Sequence, residues 1–495
     1  MTLLLGIDAS TTATKAVLVD EAGRVAAAEA VEYGYDIPQP GWTEQDPSLW
    51  GKGALEAIRR ALGAAGASGS AVAAIGLTGQ MHGAVLLDTD RRVVRPAILW
   101  NDQRTSAECD EIRARLGGRE RLVALTGNDA VTGLTAPKLL WVRRHEPEAF
   151  GRTRHVILPK DFVRLALTDE LAVDKADGSG TLLFDLGARD WSPDVLAALE
   201  LDPALFPRTV EGPVATGRIT ARTAVETGLA AGTPVVAGGG DQAAGAVGAG
   251  ILEPGTLFAS LGTSGVVFAA TDTPLSDPLG RVHAFCHAVP GRWHLMSVML
   301  SAAGSLRWFR DNLAPGVEFR ALVEDAGAVE ASTDGLFFLP YLTGERSPYP
   351  DPLARGAFVG LTVGHDRRHL TRAVLEGVAF GLADGLRLMR EAGLPAATEI
   401  RVTGGGSVSP TWRQILADVL DAPIATVNTS EGAAYGAALL GAVEAGWFRS
   451  VPEAAAAFIR PTITNAPSGR VGAYATAHER YRALYPALAP TFHGA

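Results

Sequence analysis

One carboxylate in this chain stands where the backbone around it is bare. Asp241 follows Gly238, Gly239 and Gly240 and precedes Gln242 and a run of alanines and glycines. With Val235 to Ala237 read as a strand and Ala243 onward as a helix, Asp241 falls at a helix N-terminus, where the dipole favours an anion. Two chemistries fit that position. The carboxylate caps the helix, or it acts as a general base on a ligand that three missing side chains allow to come close.

Three other stretches carry groups suited to phosphates. Asp8 is followed by Ser10, Thr11, Thr12 and Lys15, so one turn offers backbone N–H groups, hydroxyls and an ammonium beside an acid able to face Mg2+. Leu261-Gly262-Thr263-Ser264-Gly265 is a similar turn without the acid, and Thr403 leads through Gly404, Gly405 and Gly406 to Ser407, where an adenine or ribose can lie on bare backbone. None of these is a Walker A loop, and a Thr/Gly-rich turn serves structure as readily as binding. Lys15 is one of only five lysines in the chain.

Met81 and His82 end an apolar strand, so His82 can hydrogen-bond a hydroxyl while Met81 covers a carbon face. A lone histidine there also fits an ordinary interior residue. Trp100 and Asn101, an indole followed by polar groups, suit a sugar or a plain loop. His283 and His287 would chelate a metal from one face of a helix. The flanking valines and the Pro290-Gly291 turn argue for a strand, which puts Cys286 opposite both histidines, and no metal is expected there.

The elements that must hold these residues repeat. A strand at Leu3 to Ile7, a polar turn from Asp8 to Thr14 and a hairpin of Ala16 to Val19 with Val25 to Ala28 open the chain. Thr256 to Phe268, followed by a hairpin around Pro290 to Arg292, opens a second half in the same way. Ala73 to Gln80 and Glu399 to Gly406 are both strands that run into glycine turns, so two copies of one α/β unit are predicted. Ser409 caps a helix with Pro410 at its first position and Trp412, Ile415, Leu416, Val419 and Leu420 on one face. The domain boundary is placed at the Gly/Ala/Pro-rich stretch around Asp241, giving domains 1–240 and 241–495.

With 495 residues, 47% hydrophobic and 20% charged, the chain exceeds one core. A net charge of -10 disfavours a nucleic-acid partner. Two cysteines build no disulfide framework, and no apolar run is long enough to span a membrane, so a cytoplasmic enzyme is expected.

Taken together, Gly6 to Lys15, Gly79 to Gly83, Ile98 to Arg104, Ala136-Pro-Lys-Leu-Leu-Trp141, Leu158-Pro-Lys-Asp161, Gly238 to Asp241 and Ser260 to Gly265 resemble the FGGY carbohydrate kinases over nearly the whole chain. Phe338 to Arg346 and Ala373 to Val378 extend the resemblance. It implies two ribonuclease H-like, actin-type α/β domains with a catalytic cleft between them, ATP with Mg2+ as donor, and phosphoryl transfer to a sugar hydroxyl. It further implies Asp241 as base toward the 5-hydroxyl of D-xylulose, Asp8 serving the Mg-nucleotide, and Met81, His82, Trp100, Asn101 and Gln242 near the sugar. Thr11, Thr12, Lys15, Gly262, Thr263 and Gly404 to Ser407 would serve ATP. A homodimer is expected by analogy.

Gln242 departs from the D-xylulose pattern, which has Asn there, and resembles glycerol kinases. Those kinases place Arg-Glu where this chain has Met81-His82. Gluconate kinases carry Met-His as well, so gluconate or another pentulose is the competing acceptor. The same fold also hosts chaperone-like and filament ATPases, which acceptor dependence would separate from a kinase.

Overall fold

The computed structural model describes residues 2–330, 335–429 and 431–494. Leu3–Ala9 is apolar on both sides of its pleat, and it lies at the heart of a seven-stranded sheet, parallel to Val72–Gly79 and antiparallel to Ala13–Asp20. The strand order is Ala215–Arg218, Pro234–Val236, Val72–Gly79, Leu3–Ala9, Ala13–Asp20, Val25–Glu32, with the short Gly239–Gly240 segment also paired to Val72–Gly79. Val25–Glu32, whose residues are alternately exposed and half-buried, forms the edge.

A second seven-stranded sheet repeats this plan. Thr256–Leu261 is antiparallel to Gly265–Thr271 and parallel to Glu399–Thr403, which is in turn parallel to Ile424–Val427. Trp293–Met299 and His283–Cys286 extend it on one side and Pro461–Asn465 on the other. Five strands in each half thus share one order and one set of directions, the repeat the sequence predicts. The helix Pro410–Leu420 also forms as expected, with Ser409 Oγ accepting the Trp412 N–H at 3.2 Å.

The halves interlock through small residues. The helix Gly432–Glu444 packs against Leu3–Ala9 and Val72–Gly79 of the first sheet and against the helix Asp241–Ala249. The contact is backbone to backbone: a Cβ on Gly6 would lie 1.8 Å from the Ala434 carbonyl oxygen, and one on Gly76 1.7 Å from that of Ala437. The Gly/Ala composition of residues 432–438 is therefore largely a packing device. Only its start, at Gly432 and Ala433, lines the cleft.

The first turn is tighter than the expected span of Asp8 to Thr14. Ser10 Oγ donates to the Ala13 carbonyl at 2.9 Å, which closes the chain within three residues. Strand pairing therefore runs on to Ala9 and Thr14, and Asp8 sits inside the strand opposite Lys15.

Candidate active site

Asp8 and Asp241 both line a cavity of about 570 Å³ whose other walls include Gln242, Ser260, Thr403, Gly404, Gly405, Ser407, Thr429 and Gly432. Asp8 comes from the end of the first central strand and Asp241 from the first residue of the helix Asp241–Ala249. Burial pushes the Asp8 carboxyl up to about 6, with the Lys15 charge opposing it. Asp241 is pushed up to about 7, first by burial and then by the charge of Asp8, while Gln242 pulls the other way through hydrogen bonds from its backbone and its side chain. The Asp8 charge is thus one of the two causes that raise Asp241. A carboxylate that titrates near neutrality can both take and hold a proton.

Gly240 occupies the cap position, so Asp241 is the first residue of its helix, with its carboxylate accepting the Gln242 backbone N–H. The expected purpose of the three glycines needs correction. A Cβ on Gly238 would lie 1.9 Å from the Leu77 carbonyl oxygen, one on Gly239 2.9 Å from the Ala288 Cβ, and one on Gly240 2.7 Å from the Met81 Cγ. These glycines admit other parts of the protein. They bring Asp241 down onto the Val72–Gly79 strand and against Met81.

Met81 itself stands against Gly240 and Gly180. His82 adopts a left-handed backbone conformation, φ 67°, and its Nδ1 lies 2.7 Å from the Gly180 carbonyl oxygen. That nitrogen must carry the proton to donate, which leaves Nε2 as an acceptor. Burial, and next the Lys138 charge, hold His82 well below the usual imidazole range, so the ring is neutral. Trp100 is 40% exposed, and its indole N–H donates to Thr11 Oγ1 at 3.1 Å. Asn101 turns its Oδ1 to the Thr43 hydroxyl at 2.8 Å.

The predicted phosphate residues divide. Thr12 is exposed and Lys15 reaches across to Glu431, 3.2 Å away. The carbonyls of Gly262 and Thr263 accept N–H groups of Ala302, Ala303 and Gly304, which latches that turn to the start of the helix Ala303–Leu313. Ser407 spends its hydroxyl on the Gly404 carbonyl at 2.7 Å. Gly405 has open space where a side chain would stand, and it borders both the Asp8/Asp241 cavity and a second one of about 680 Å³. The second cavity is mostly apolar and is walled by Leu306, Arg307, Phe319, Val323 and Pro410.

Residues 3–248 match the N-terminal domain of the FGGY family of carbohydrate kinases, and residues 257–445 match its C-terminal domain. The chain belongs to that family. It is 43% identical to a xylulose kinase of Escherichia coli over 99% of both chains. Among solved structures it is similar to a xylulose kinase from Rhodospirillum rubrum (33% identity, TM-score 0.91, 99% of this chain and 100% of that one). It is also similar to a gluconate kinase from Lactobacillus acidophilus (26% identity, TM-score 0.94, 100% and 99%). The two-sheet architecture is thus the FGGY kinase fold, and the chain is a carbohydrate kinase.

Among the described residues no three or more His, Cys, Asp or Glu side chains are grouped so that they could hold a metal. His283 lies in a strand, with Nδ1 3.0 Å from Asn128 Oδ1, and His287 Nε2 lies 3.0 Å from the Ile251 carbonyl oxygen, as the strand reading requires. Among the described residues no helix is long and apolar enough to cross a membrane.

Two parts of the candidate site had no reading from residue type. Arg346, from the second half, lowers the pKa of both His82 and His283 by its charge, and its guanidinium stands near Gly133, which packs on Trp100. The second is a buried ion cluster. Lys160 Nζ lies 2.7 Å from Asp161, 2.5 Å from Asp174 and 3.3 Å from Asp177, and Arg164 joins through Asp161. Burial raises the Asp177 carboxyl well above its usual range despite Lys160. The cluster fixes the short helix Lys175–Ser179, whose C-cap Gly180 holds the His82 ring. Only the Leu158 to Asp161 match signalled it, without a role.

Proposed function

We propose that this kinase transfers the γ-phosphoryl group of ATP to the 5-hydroxyl of D-xylulose, giving D-xylulose 5-phosphate and ADP, in the cytoplasm and in the service of xylose catabolism. The observation that carries the proposal is the position of Asp241: a carboxylate raised to about 7, in a cleft with Asp8 and the Gly405 loop, with Met81 against the preceding Gly240.

On this reading the ketose lies over Met81, with His82 Nε2 and the Trp100 and Asn101 loop toward its hydroxyls. Asp241 accepts the proton of the attacking hydroxyl as the new O–P bond forms and the bond to the β-phosphate oxygen breaks. Gln242, bonded to the same carboxylate, keeps it oriented. The adenosine occupies the cavity between Leu306, Phe319 and Pro410, and Gly405 forms the floor over which the phosphates pass to Asp8. Thr11, Thr12, Lys15, Gly262 and Thr263 supply donors along that path. Domains 1–240 and 241–495 close on the substrates and exclude water.

Mg2+ fits this site on one count: Asp8 Oδ1 is buried and without a hydrogen-bond partner. Mg2+ takes one or two carboxylates together with water and phosphate oxygens. Held there with ATP, it would neutralise charge on the phosphates. Asp8 is the residue that would hold it.

Gluconate is the second reading, and Arg346 favours it, because a guanidinium beside His82 suits a carboxylate. The experiment is ADP release with Mg-ATP against D-xylulose, D-ribulose, gluconate, glycerol and no sugar. Stimulation by D-xylulose above the others supports the proposal. Preference for gluconate replaces the sugar and keeps the base, and a rate indifferent to every sugar rejects the kinase reading in favour of an ATPase. A homodimer, expected by analogy, is checked by light scattering.

A further inference from the structure

Lys138 is fully buried in the helix Thr135–His145, and among the described residues no acidic side chain takes its ammonium in a direct ion pair. Its Nζ donates instead to two backbone carbonyls, that of His82 at 2.8 Å and that of Gly133 at 2.7 Å. Thr135, one turn earlier on the same helix, donates its hydroxyl to the same His82 carbonyl at 3.1 Å. Burying a lysine in this way is unfavourable. Burial lowers its pKa to about 7, with Asp102 opposing the shift and Arg104 adding to it. A methionine would fill the same space without that penalty. What methionine lacks is the pair of donors.

The two carbonyls are not arbitrary. His82 has a left-handed backbone, which side chains other than glycine seldom adopt. Its carbonyl is tied by Lys138 and Thr135 and its ring by Gly180, so both ends of the residue are fixed. Gly133 packs directly on the Trp100 backbone, since a Cβ there would lie 2.6 Å from the Trp100 carbonyl oxygen. One amine therefore joins the His82 turn to the segment that supports Trp100.

We propose that Lys138 is a positioning residue for the acceptor sugar, setting His82 and, through Gly133, Trp100, without touching the substrate. The assignment rests on the reading that His82 faces the sugar. Lys138→Met should raise KM for the acceptor about tenfold or more, the worth of the two hydrogen bonds it removes. KM for Mg-ATP should change less than about twofold, within the additivity limit for distant sites. In the His82→Ala background the same substitution should cost less than it does alone, because only the part that passes through Gly133 to Trp100 remains. Should Lys138→Met fail to fold, Thr135→Val tests the same carbonyl and should raise the same KM about threefold, the worth of one hydrogen bond.

A folded Lys138→Met enzyme with unchanged KM for the sugar overturns the proposal, as does multiplication of the two effects in the double variant. A third arm needs no turnover. In protein labelled with 15N-histidine, the His82 Nδ1–H signal, assigned by its loss in His82→Ala, should shift or broaden in Lys138→Met. An unmoved signal overturns the proposal. Failure of the wild type with every sugar would reject the kinase reading instead and leave this arm to decide on Lys138.

Discussion

The indole N–H of Trp100 donates to Thr11 Oγ1 at 3.1 Å, and Thr11 donates in turn to Gln80 Oε1 at 3.1 Å. A residue assigned to the sugar and a residue assigned to the nucleotide thus share one hydrogen-bond chain. It continues through Gln80 to Gln45, whose amide bonds the Thr11 carbonyl at 2.9 Å. Thr11→Val keeps the shape and removes the link. It should raise KM for both sugar and ATP by about two- to tenfold, one hydrogen bond's worth, whereas a purely nucleotide role would raise only the second. Initial rates over a grid of both substrates separate the outcomes.

Lys15 pairs with Glu431 at 3.2 Å, and the Lys15 side chain is 42% exposed. Such a pair adds less than about 1 kcal/mol to stability. If Lys15 serves the phosphates, Lys15→Met should raise KM for ATP by about tenfold or more, since a charge-assisted contact contributes about 1.5–3 kcal/mol. Glu431→Gln, which leaves the lysine in place, should hold KM for ATP within about twofold. Equal effects from the two variants would make the pair a structural link only.

Gly404 and Gly405 are neighbours with opposite requirements. Gly404 has φ 87° and stands against the Leu261 carbonyl oxygen, where a Cβ would come within 2.6 Å. Gly404→Ala should therefore lower the melting temperature, by roughly 1–3 kcal/mol of stability for a strained backbone position. Gly405 faces open space. Gly405→Val should keep the melting temperature and raise KM for ATP about tenfold by narrowing the passage between the two cavities, the scale on which a pocket resolves a few added methylenes. Thermal unfolding and nucleotide titration on both variants check the pair.

These two glycines also show what residue order can disclose. The strand-to-glycine turns, the hairpins and the capped helix Pro410–Leu420 were legible because apolar runs ending in glycine-bearing turns, Ser409 and Pro410 are local signals. The repeat was legible because the same local signals recur. Which side of a glycine is occupied depends on chain far away: Leu77 and Met81 fill the space at Gly238 and Gly240, where a ligand was expected, and helix 432–444 fills it at Gly6 and Gly76. Likewise Lys138 and Lys160 looked like unassigned basic residues, and only tertiary contacts give them carbonyls and carboxylates. Asp8 and Asp241, by contrast, lie next to the turns that present them.

The raised carboxyls of that pair set a pH dependence whose sign can be worked out. Asp241 must be ionised to accept a proton, so kcat/KM should fall as pH drops through about 7. Removing the Asp8 charge lowers the pKa of Asp241, so the residual activity of Asp8→Asn should lose its acid limb at a lower pH than the wild type. Asp241→Asn should cost about 10²–10⁴ in kcat, with ATP affinity kept. Its stability should move oppositely. A carboxyl whose folded pKa lies above the unfolded value binds more protons when folded, so folding is weakened as pH rises from near 4 to near 7. Asparagine removes that loss. Asp241→Asn should melt roughly 2 °C or more above the wild type at pH 8, and the gap should close toward pH 4. A variant that melts lower at pH 8, or a wild-type rate with no acid limb between pH 6 and 8, would remove Asp241 as the base.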